Sequence, residues 1–148
     1  MNEIHTGGCI CGAVRYRVHG KPVLGSVCHC KFCQRRLASA FAVLATFAEA
    51  SVEFIQGELA EIEHRSDVSG RWLRMNFCAS CATTLSHTAE IRPGARTIAA
   101  GTFDDPGWFT INRHIWVSSK LPWVTIPPGV DAFERGYVAT PATSTKHP

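Results

Sequence analysis

The chain has 148 residues, a length that predicts a single domain with its own hydrophobic core. Hydrophobic residues make up 45% of it and charged residues 18%, which excludes an intrinsically disordered protein. The formal net charge of +3 comes from basic residues scattered among acids. Because nucleic-acid-binding proteins usually carry a clustered basic stripe, we expect no nucleic-acid partner.

The first eight residues, MNEIHTGG, lack the basic and apolar regions of a secretory signal, and no apolar run approaches the length of a membrane span. We therefore expect a soluble, cytoplasmic protein with no membrane partner. In that reducing compartment, cysteines at paired spacings favour a bound metal over disulfides. The odd number of cysteines, seven, also argues against a disulfide framework, since one thiol would be left unpaired.

Short alternating segments predict a chain that is mostly β-structure. In residues 13–18 (AVRYRV), Val14, Tyr16 and Val18 share one face, which is typical of a half-buried strand. Residues 31–40 are the one segment that predicts a helix, and it is short. The Pro/Thr/Ser composition of residues 140–148 predicts a frayed C-terminal tail. Further strands are predicted, between turn signals, at 52–56, 61–65, 71–77 and 111–117.

The seven cysteines occur in three tight clusters. Structural zinc takes four protein ligands, whereas catalytic zinc takes three and keeps one position for water or substrate. Seven cysteines therefore divide into one closed site and one open site, which predicts two zinc ions per chain. The clusters read Cys9-Ile-Cys11, Cys28-His-Cys30-Lys-Phe-Cys33 and Cys78-Ala-Ser-Cys81.

The spacing within the clusters leaves the division of ligands open. Zinc–sulfur bonds of about 2.3 Å place the sulfurs roughly 3.8 Å apart, so a Cys-x-Cys pair needs a folded turn. Gly7, Gly8 and Gly12 supply backbone freedom there. Cys30 and Cys33 can pair with Cys78 and Cys81 as a zinc ribbon. Alternatively, the first and third clusters form the closed site, and one loop presents the remaining three thiolates to solvent; this second division is the simpler geometry for an open site.

These clusters and their neighbours resemble the glutathione-dependent formaldehyde-activating enzyme family, which also includes centromere protein V. The resemblance extends over about residues 5 to 138. Two positions depart from it, because Ala82 and Ala38 stand where the family commonly has glycine. The segments that carry it are Gly7-Gly8-Cys9-Ile-Cys11-Gly12, Val14-Arg15-Tyr16, Cys28-His29-Cys30-Lys-Phe-Cys33-Gln-Arg35, Phe77-Cys78-Ala-Ser-Cys81, Ala100-Gly101-Thr102-Phe103-Asp104-Asp105-Pro106, His114-Ile-Trp116 and Ser119-Lys120-Leu-Pro-Trp123.

The resemblance implies a mainly β fold, a compact zinc-stabilised domain of several short antiparallel sheets with little helix, over residues 1–139. Its implied activity is condensation of formaldehyde with glutathione to S-hydroxymethylglutathione, classed as a carbon–sulfur lyase. The implied structural zinc ligands are Cys9, Cys11, Cys78 and Cys81. The implied catalytic zinc ligands are Cys28, Cys30 and Cys33.

The open site favours thiol chemistry, because three thiolates give zinc a net negative charge and suit it to carrying a substrate thiol. We expect a small-molecule thiol and an aldehyde as partners. His29, between two ligands, is a candidate proton shuttle, but the favoured alternative is that it points away from the metal because its two neighbours point in. Arg35 and Lys120, together with Arg36, are candidates to bind the carboxylates of glutathione.

Several other residues have ordinary structural explanations. His114 lies on a predicted strand, Asp104 precedes a turn, and Trp116 suits either core packing or the wall of a cleft. The rival hypothesis is a non-catalytic, zinc-stabilised binding or structural module. It predicts a fourth protein ligand at the second site and no exchange with added thiols. The sequence leaves the oligomeric state open.

Overall fold

The structure is a computed structural model that describes residues 3–136. Within that range it has eleven strands and one α-helix, which confirms the mainly β prediction. The predicted tail, residues 140–148, lies outside the described residues. The elements are β1 (Ile4–Gly8), β2 (Arg15–His19), β3 (Leu24–Cys28), α1 (Lys31–Leu37), β4 (Ala42–Ala48), β5 (Val52–Gln56), β6 (Leu59–Arg65), β7 (Trp72–Cys78), β8 (Thr84–Ala89), β9 (Ala95–Ala99), β10 (Arg113–Ile115) and β11 (Asp131–Ala132).

The strands form two sheets. One is three-stranded, in the order β1-β2-β5, and the other is eight-stranded, in the order β11-β10-β3-β4-β9-β8-β7-β6. Most neighbours are antiparallel, as expected, but β10 runs parallel to both β3 and β11. Three short 3-10 helices, Glu49–Ser51, Ala100–Thr102 and Val117–Ser119, join strands of these sheets.

The main core lies between the two sheets. Val14, Tyr16 and Val18 are fully buried, so the predicted alternation in this segment is confirmed. They belong to one apolar cluster with Phe47 of β4 and Ile98 of β9. Only alternate residues of β4 and β9 face this core, because successive side chains of a strand point to opposite faces of a sheet. The eight-stranded sheet therefore has a second face, and the candidate site lies on it.

Helix α1 covers part of that second face. Cys30 caps its N-terminus, where Sγ accepts a hydrogen bond from the backbone N–H of Cys33 at 3.2 Å. The helix ends at Ala38, which has φ 49° and ψ 46°, and Ser39 N–H donates to the Gln34 carbonyl. This left-handed ending makes α1 shorter than the predicted helix over 31–40. Among residues 3–136, no helix is long and apolar enough to cross a bilayer.

Candidate metal centres and the adjoining cavity

The first and third cysteine clusters meet in the structure. The Sγ atoms of Cys9, Cys11, Cys78 and Cys81 all lie within 4.8 Å of one another. Cys9 and Cys11 Sγ are 3.5 Å apart, and Cys11 and Cys78 Sγ are 3.8 Å apart. These separations are close to the roughly 3.8 Å that tetrahedral zinc–thiolate geometry requires. The four thiols therefore fit a zinc ion.

Two turns, one from each sheet, build this four-cysteine group. Cys9 and Cys11 lie in the turn between β1 and β2, and Gly12 there has φ 79°, so the predicted backbone freedom is used at this position. Gly7 and Gly8 instead belong to β1, where a side chain would collide with Tyr16 or with the Val14 carbonyl. Cys78 and Cys81 lie at the turn between β7 and β8.

Backbone and hydroxyl donors surround these sulfurs. Val14 N–H donates to Cys9 Sγ at 3.2 Å, and this hydrogen bond is the main cause of a lowered pKa at Cys9. The Thr83 hydroxyl lies 3.0 Å from Cys81 Sγ and lowers the pKa of that thiol to about 5. Donors of this kind stabilise thiolates, which are the form that binds metal.

The middle cluster forms a second, separate group. Cys28 ends β3, Cys30 caps α1 and Cys33 lies in its first turn, with the three Sγ atoms within 4.8 Å of one another. Hydrogen bonds from the Cys28 and Cys33 thiols lower the pKa of Cys30 to about 3, whereas the bond to Cys30 raises the pKa of Cys28. One thiolate and two thiols is thus the favoured charge state before a metal binds.

Two of the three thiols are less exposed than the sequence predicts. Cys28 is 4% exposed and Cys33 is 7% exposed, so the loop does not present them to bulk solvent. Both border a cavity of about 290 Å³ on the second face of the eight-stranded sheet. Within the described residues, no His, Asp or Glu ligand atom joins these three sulfurs to complete a fourth position.

Alternate residues of six neighbouring strands line the cavity. Ser26 and Cys28 come from β3, and Leu44 and Thr46 come from β4, as period-two geometry requires. Helix α1 contributes Phe32, Cys33 and Arg36, and Trp116 also lines the cavity. Trp116 has φ 57°, a conformation that is strained for a bulky residue. The remaining lining residues are Leu73, His87, Ala89, Ile91, Arg92, Ala95, Thr97, Arg113 and Ile115.

The cavity is electropositive. Arg36, Arg92 and Arg113 line it, and the described lining includes no acidic side chain. Buried Nε and Nη1 atoms of Arg36 have no hydrogen-bond partner, although its guanidinium lies 5.9 Å from the Phe32 ring centroid. Arg92 makes no ion pair with any residue described, whereas Arg113 donates from Nε to Ser26 Oγ at 3.1 Å. Such a wall attracts an anionic ligand.

The model of the family described as glutathione-dependent formaldehyde-activating enzyme matches residues 4–119. The chain belongs to this family. A crystal structure of a Rhodobacter sphaeroides protein is similar in fold, with a TM-score of 0.53 and 20% sequence identity over 86% of this chain and 98% of that one.

Both departures from the family's glycines fall where the backbone is left-handed. Ala38, at the end of α1, has φ 49°, and Ala82, directly after the last cysteine, has φ 62°. Glycine adopts this conformation without the steric cost of a Cβ atom. The loops therefore keep the conformation that glycine favours, and the strain is carried by alanine.

The other candidate residues lie away from the cavity lining. His29 is fully buried, with Nε2 2.8 Å from His114 Nδ1, and its ring contacts Phe41. Arg35 is exposed and borders a different groove beside α1. Lys120 Nζ donates to the carbonyls of Leu121 and Val124, at 3.2 and 2.7 Å. A catalytic role of His29 and substrate contacts by Arg35 and Lys120 stay predictions.

Sequence reasoning missed three of the titratable side chains that line the cavity: His87, Arg92 and Arg113. His87 lies on β8, a strand that the alternation pattern did not predict, and Arg92 lies in the loop that follows it. Arg113 lies in predicted strand 111–117, but an arginine on a short strand carries no sign of burial. These residues are far from the thiols in sequence. They come near them only because β8, β10 and β3 belong to one sheet and their side chains line the same cavity.

Proposed function

We propose that this chain is a zinc-dependent enzyme of the carbon–sulfur lyase class that adds a glutathione-type thiol to formaldehyde or another small aldehyde. The observation that carries the proposal is the position of Cys28 and Cys33 in the wall of an electropositive cavity. The family description names formaldehyde and glutathione, which supports this choice of substrates.

We expect one zinc ion at each of the two cysteine groups, with a different task at each. Cys9, Cys11, Cys78 and Cys81 would hold a structural ion, because four thiolates complete a tetrahedral site. Cys28, Cys30 and Cys33 would hold the catalytic ion, which when bound supplies a position where a substrate thiol is kept deprotonated. Cys30 has the lowest pKa of this trio, so it is the thiol most ready to bind a metal.

The arginines of the cavity bind and orient the thiol substrate. Arg36 presents unpaired guanidinium atoms, and a carboxylate would satisfy them with charge-assisted hydrogen bonds. Arg92 offers a second cation in the same wall. Glutathione carries two carboxylates, so two separate cations fix its direction and leave its sulfur toward Cys28 and Cys33.

The reaction then needs little beyond positioning. The substrate sulfur forms a bond to the aldehyde carbon, the C=O π pair moves to oxygen, and that oxygen takes a proton to give the hydroxymethyl thioether. Phe32, Leu44 and Ile115 make part of the wall apolar, which limits the water around the reacting atoms. Holding both reactants beside one another supplies much of the rate increase.

A non-catalytic binding module remains the rival hypothesis for the same chain. It predicts a protein ligand at the fourth position, and the described residues supply no such His, Asp or Glu atom within 4.8 Å of the trio. This observation supports the enzyme. The cytoplasmic location and the lack of a nucleic-acid partner stay predictions.

The test compares wild type with Cys30→Ser. Serine is a good N-cap, so this substitution keeps the start of α1 while removing one thiolate. Elemental mass spectrometry of fresh, reduced protein should give two zinc ions for wild type and one for the variant. NMR should show that wild type accelerates glutathione-dependent consumption of formaldehyde and that the variant does not.

Cys81→Ser is the matched control, because it removes a thiol from the four-cysteine group and leaves the trio complete. It should lower the unfolding midpoint more than Cys30→Ser does, since zinc binding at that group links the two sheets. Unchanged turnover in zinc-depleted Cys30→Ser would refute the proposed mechanism. Two zinc ions in that variant would refute the assignment of the trio as ligands.

A further inference from the structure

His87 is an imidazole in the cavity wall that the cysteine groups do not use. It lies on β8, directly opposite Thr97 of β9, and both residues line the cavity with Cys28 and Cys33. Its ring makes no hydrogen bond, ion pair or ring contact with any residue of the described part of the chain. Both ring nitrogens are therefore available to a ligand in the cavity.

A β-bulge directs His87 to this face. The register between β7 and β8 pairs Asn76 with Ser86 but Phe77 with Thr84, so Leu85 is an extra residue. Leu85 is fully buried in the core between the sheets, and the shift allows His87, two residues later, to line the opposite face. Bulges commonly re-aim side chains next to active sites.

The surroundings hold His87 neutral. Burial, followed by the positive charges of Arg36, Arg92 and Arg96, lowers the pKa of His87 to about 3. The imidazole is therefore uncharged at any physiological pH, with one N–H donor and one acceptor nitrogen. A neutral histidine of this kind is a poor base toward a thiol, but it can donate its N–H to a carbonyl oxygen.

We propose that His87 is a catalytic residue that donates a hydrogen bond from its imidazole N–H to the aldehyde oxygen. This inference rests on the proposed function. As the sulfur–carbon bond forms, the C=O π pair becomes negative charge on oxygen, and the His87 N–H stabilises that charge. Solvent in the cavity then protonates the oxygen with the proton that the substrate thiol released, so His87 keeps its own proton throughout.

The test uses three substitutions at this position. His87→Leu removes the donor, whereas His87→Gln and His87→Asn each place an amide N–H near a ring nitrogen of the histidine. The matched control is His19→Leu, on β2 in the three-stranded sheet and outside the cavity. NMR exchange spectroscopy measures the rate at which glutathione and its formaldehyde adduct interconvert. Zinc content and the urea midpoint show that each variant is folded and loaded.

His87→Leu should lower kcat on the order of 100-fold, the usual cost of one lost oxyanion donor. KM for glutathione should stay within about threefold, because the donor acts on the aldehyde and mainly in the transition state. The better of His87→Gln and His87→Asn should recover about tenfold or more of the loss. Since the imidazole stays neutral, the rescued variant should share the pH profile of wild type.

Two results from the His87 variants would overturn the inference alone. Full activity in zinc-loaded His87→Leu would show that the N–H is dispensable, and an acidic limb present in wild type but lost in the rescued variant would show that His87 exchanges a proton. Wild-type protein that binds zinc and glutathione without accelerating exchange would refute the proposed function, and this inference with it. His19→Leu should match wild type.

Discussion

Replacing either left-handed alanine by glycine should stabilise the protein. Ala38 has φ 49° and Ala82 has φ 62°, so each Cβ atom lies close to the following carbonyl. Both residues are exposed, and glycine at these positions would lose no buried contact. The backbone is held in place at both sites, since Ala38 N–H donates to the Arg35 carbonyl and Ala82 N–H to the Cys78 carbonyl.

The expected gain is a difference of two opposing contributions. A left-handed conformation costs a residue with a Cβ atom roughly 1–2 kcal/mol. The greater freedom of glycine in the unfolded chain offsets about 0.4–1 kcal/mol of that. Each substitution should therefore raise the free energy of unfolding by about 0.5–1 kcal/mol, which is a rise in Tm of about 1–4 °C for a chain of this size.

The assay is scanning calorimetry at one protein and zinc concentration for Ala38→Gly, Ala82→Gly and the double variant. Ala79→Gly is the matched control, because Ala79 is an exposed loop alanine whose φ is not positive, and it should lower Tm. The two sites lie in different loops, so their effects should add. Falls in Tm as large as that of Ala79→Gly would refute the reasoning.

Two further predictions concern charged groups. Arg15 and then Thr6 hold the pKa of Asp104 down to about 2, so this half-exposed carboxylate adds stability above pH 4 that is lost as the pH falls from about 4 to 2. After allowance for solvent screening, Asp104→Asn should cost about 1 kcal/mol at pH 7 and flatten acid unfolding followed by circular dichroism over that window; an unchanged acid midpoint would contradict this. Arg36→Met should raise KM for glutathione by about tenfold or more without loss of stability, because the guanidinium it removes is buried and unpaired. The exposed neighbour Arg35→Met is its control, and equal effects of the two on steady-state kinetics would refute the assignment of Arg36 to the substrate.

Strands β2 and β5 were predictable from the alternation of their residues, whereas β4, which is buried on both faces, was not. β2 and β5 show regular alternation because one face packs on the core and the other meets solvent. In β4, burial runs without interruption from Leu44 to Phe47, since Leu44 and Thr46 face the cavity while Phe47 faces the core. A segment that is buried on both faces shows no alternation of apolar and polar residues. Its sequence is therefore compatible with either a helix or a strand.

The cysteine groups were predictable for a different reason. Only a few residue types bind metal ions, and they occur at characteristic spacings in the sequence. The structure brings the thiols together in the groups of four and three that the simpler division predicts. The cavity was not predictable, because its members are scattered through the chain. His87 reaches it only through the bulge at Leu85, and Arg36 differs from Arg35 only in its direction on α1.

The surroundings of the two cysteine groups support the different tasks that we propose for them. The four-cysteine group joins the β1–β2 turn to the β7–β8 turn, so a metal ion there would fix one sheet against the other. The same β7–β8 hairpin carries the bulge that directs His87 into the cavity. Loss of the closed site should therefore disturb the cavity from a distance, whereas loss of the trio should leave the core between the sheets intact. A chain that has lost only the trio would remain folded and inactive, and this asymmetry is what separates a structural ion from a catalytic one.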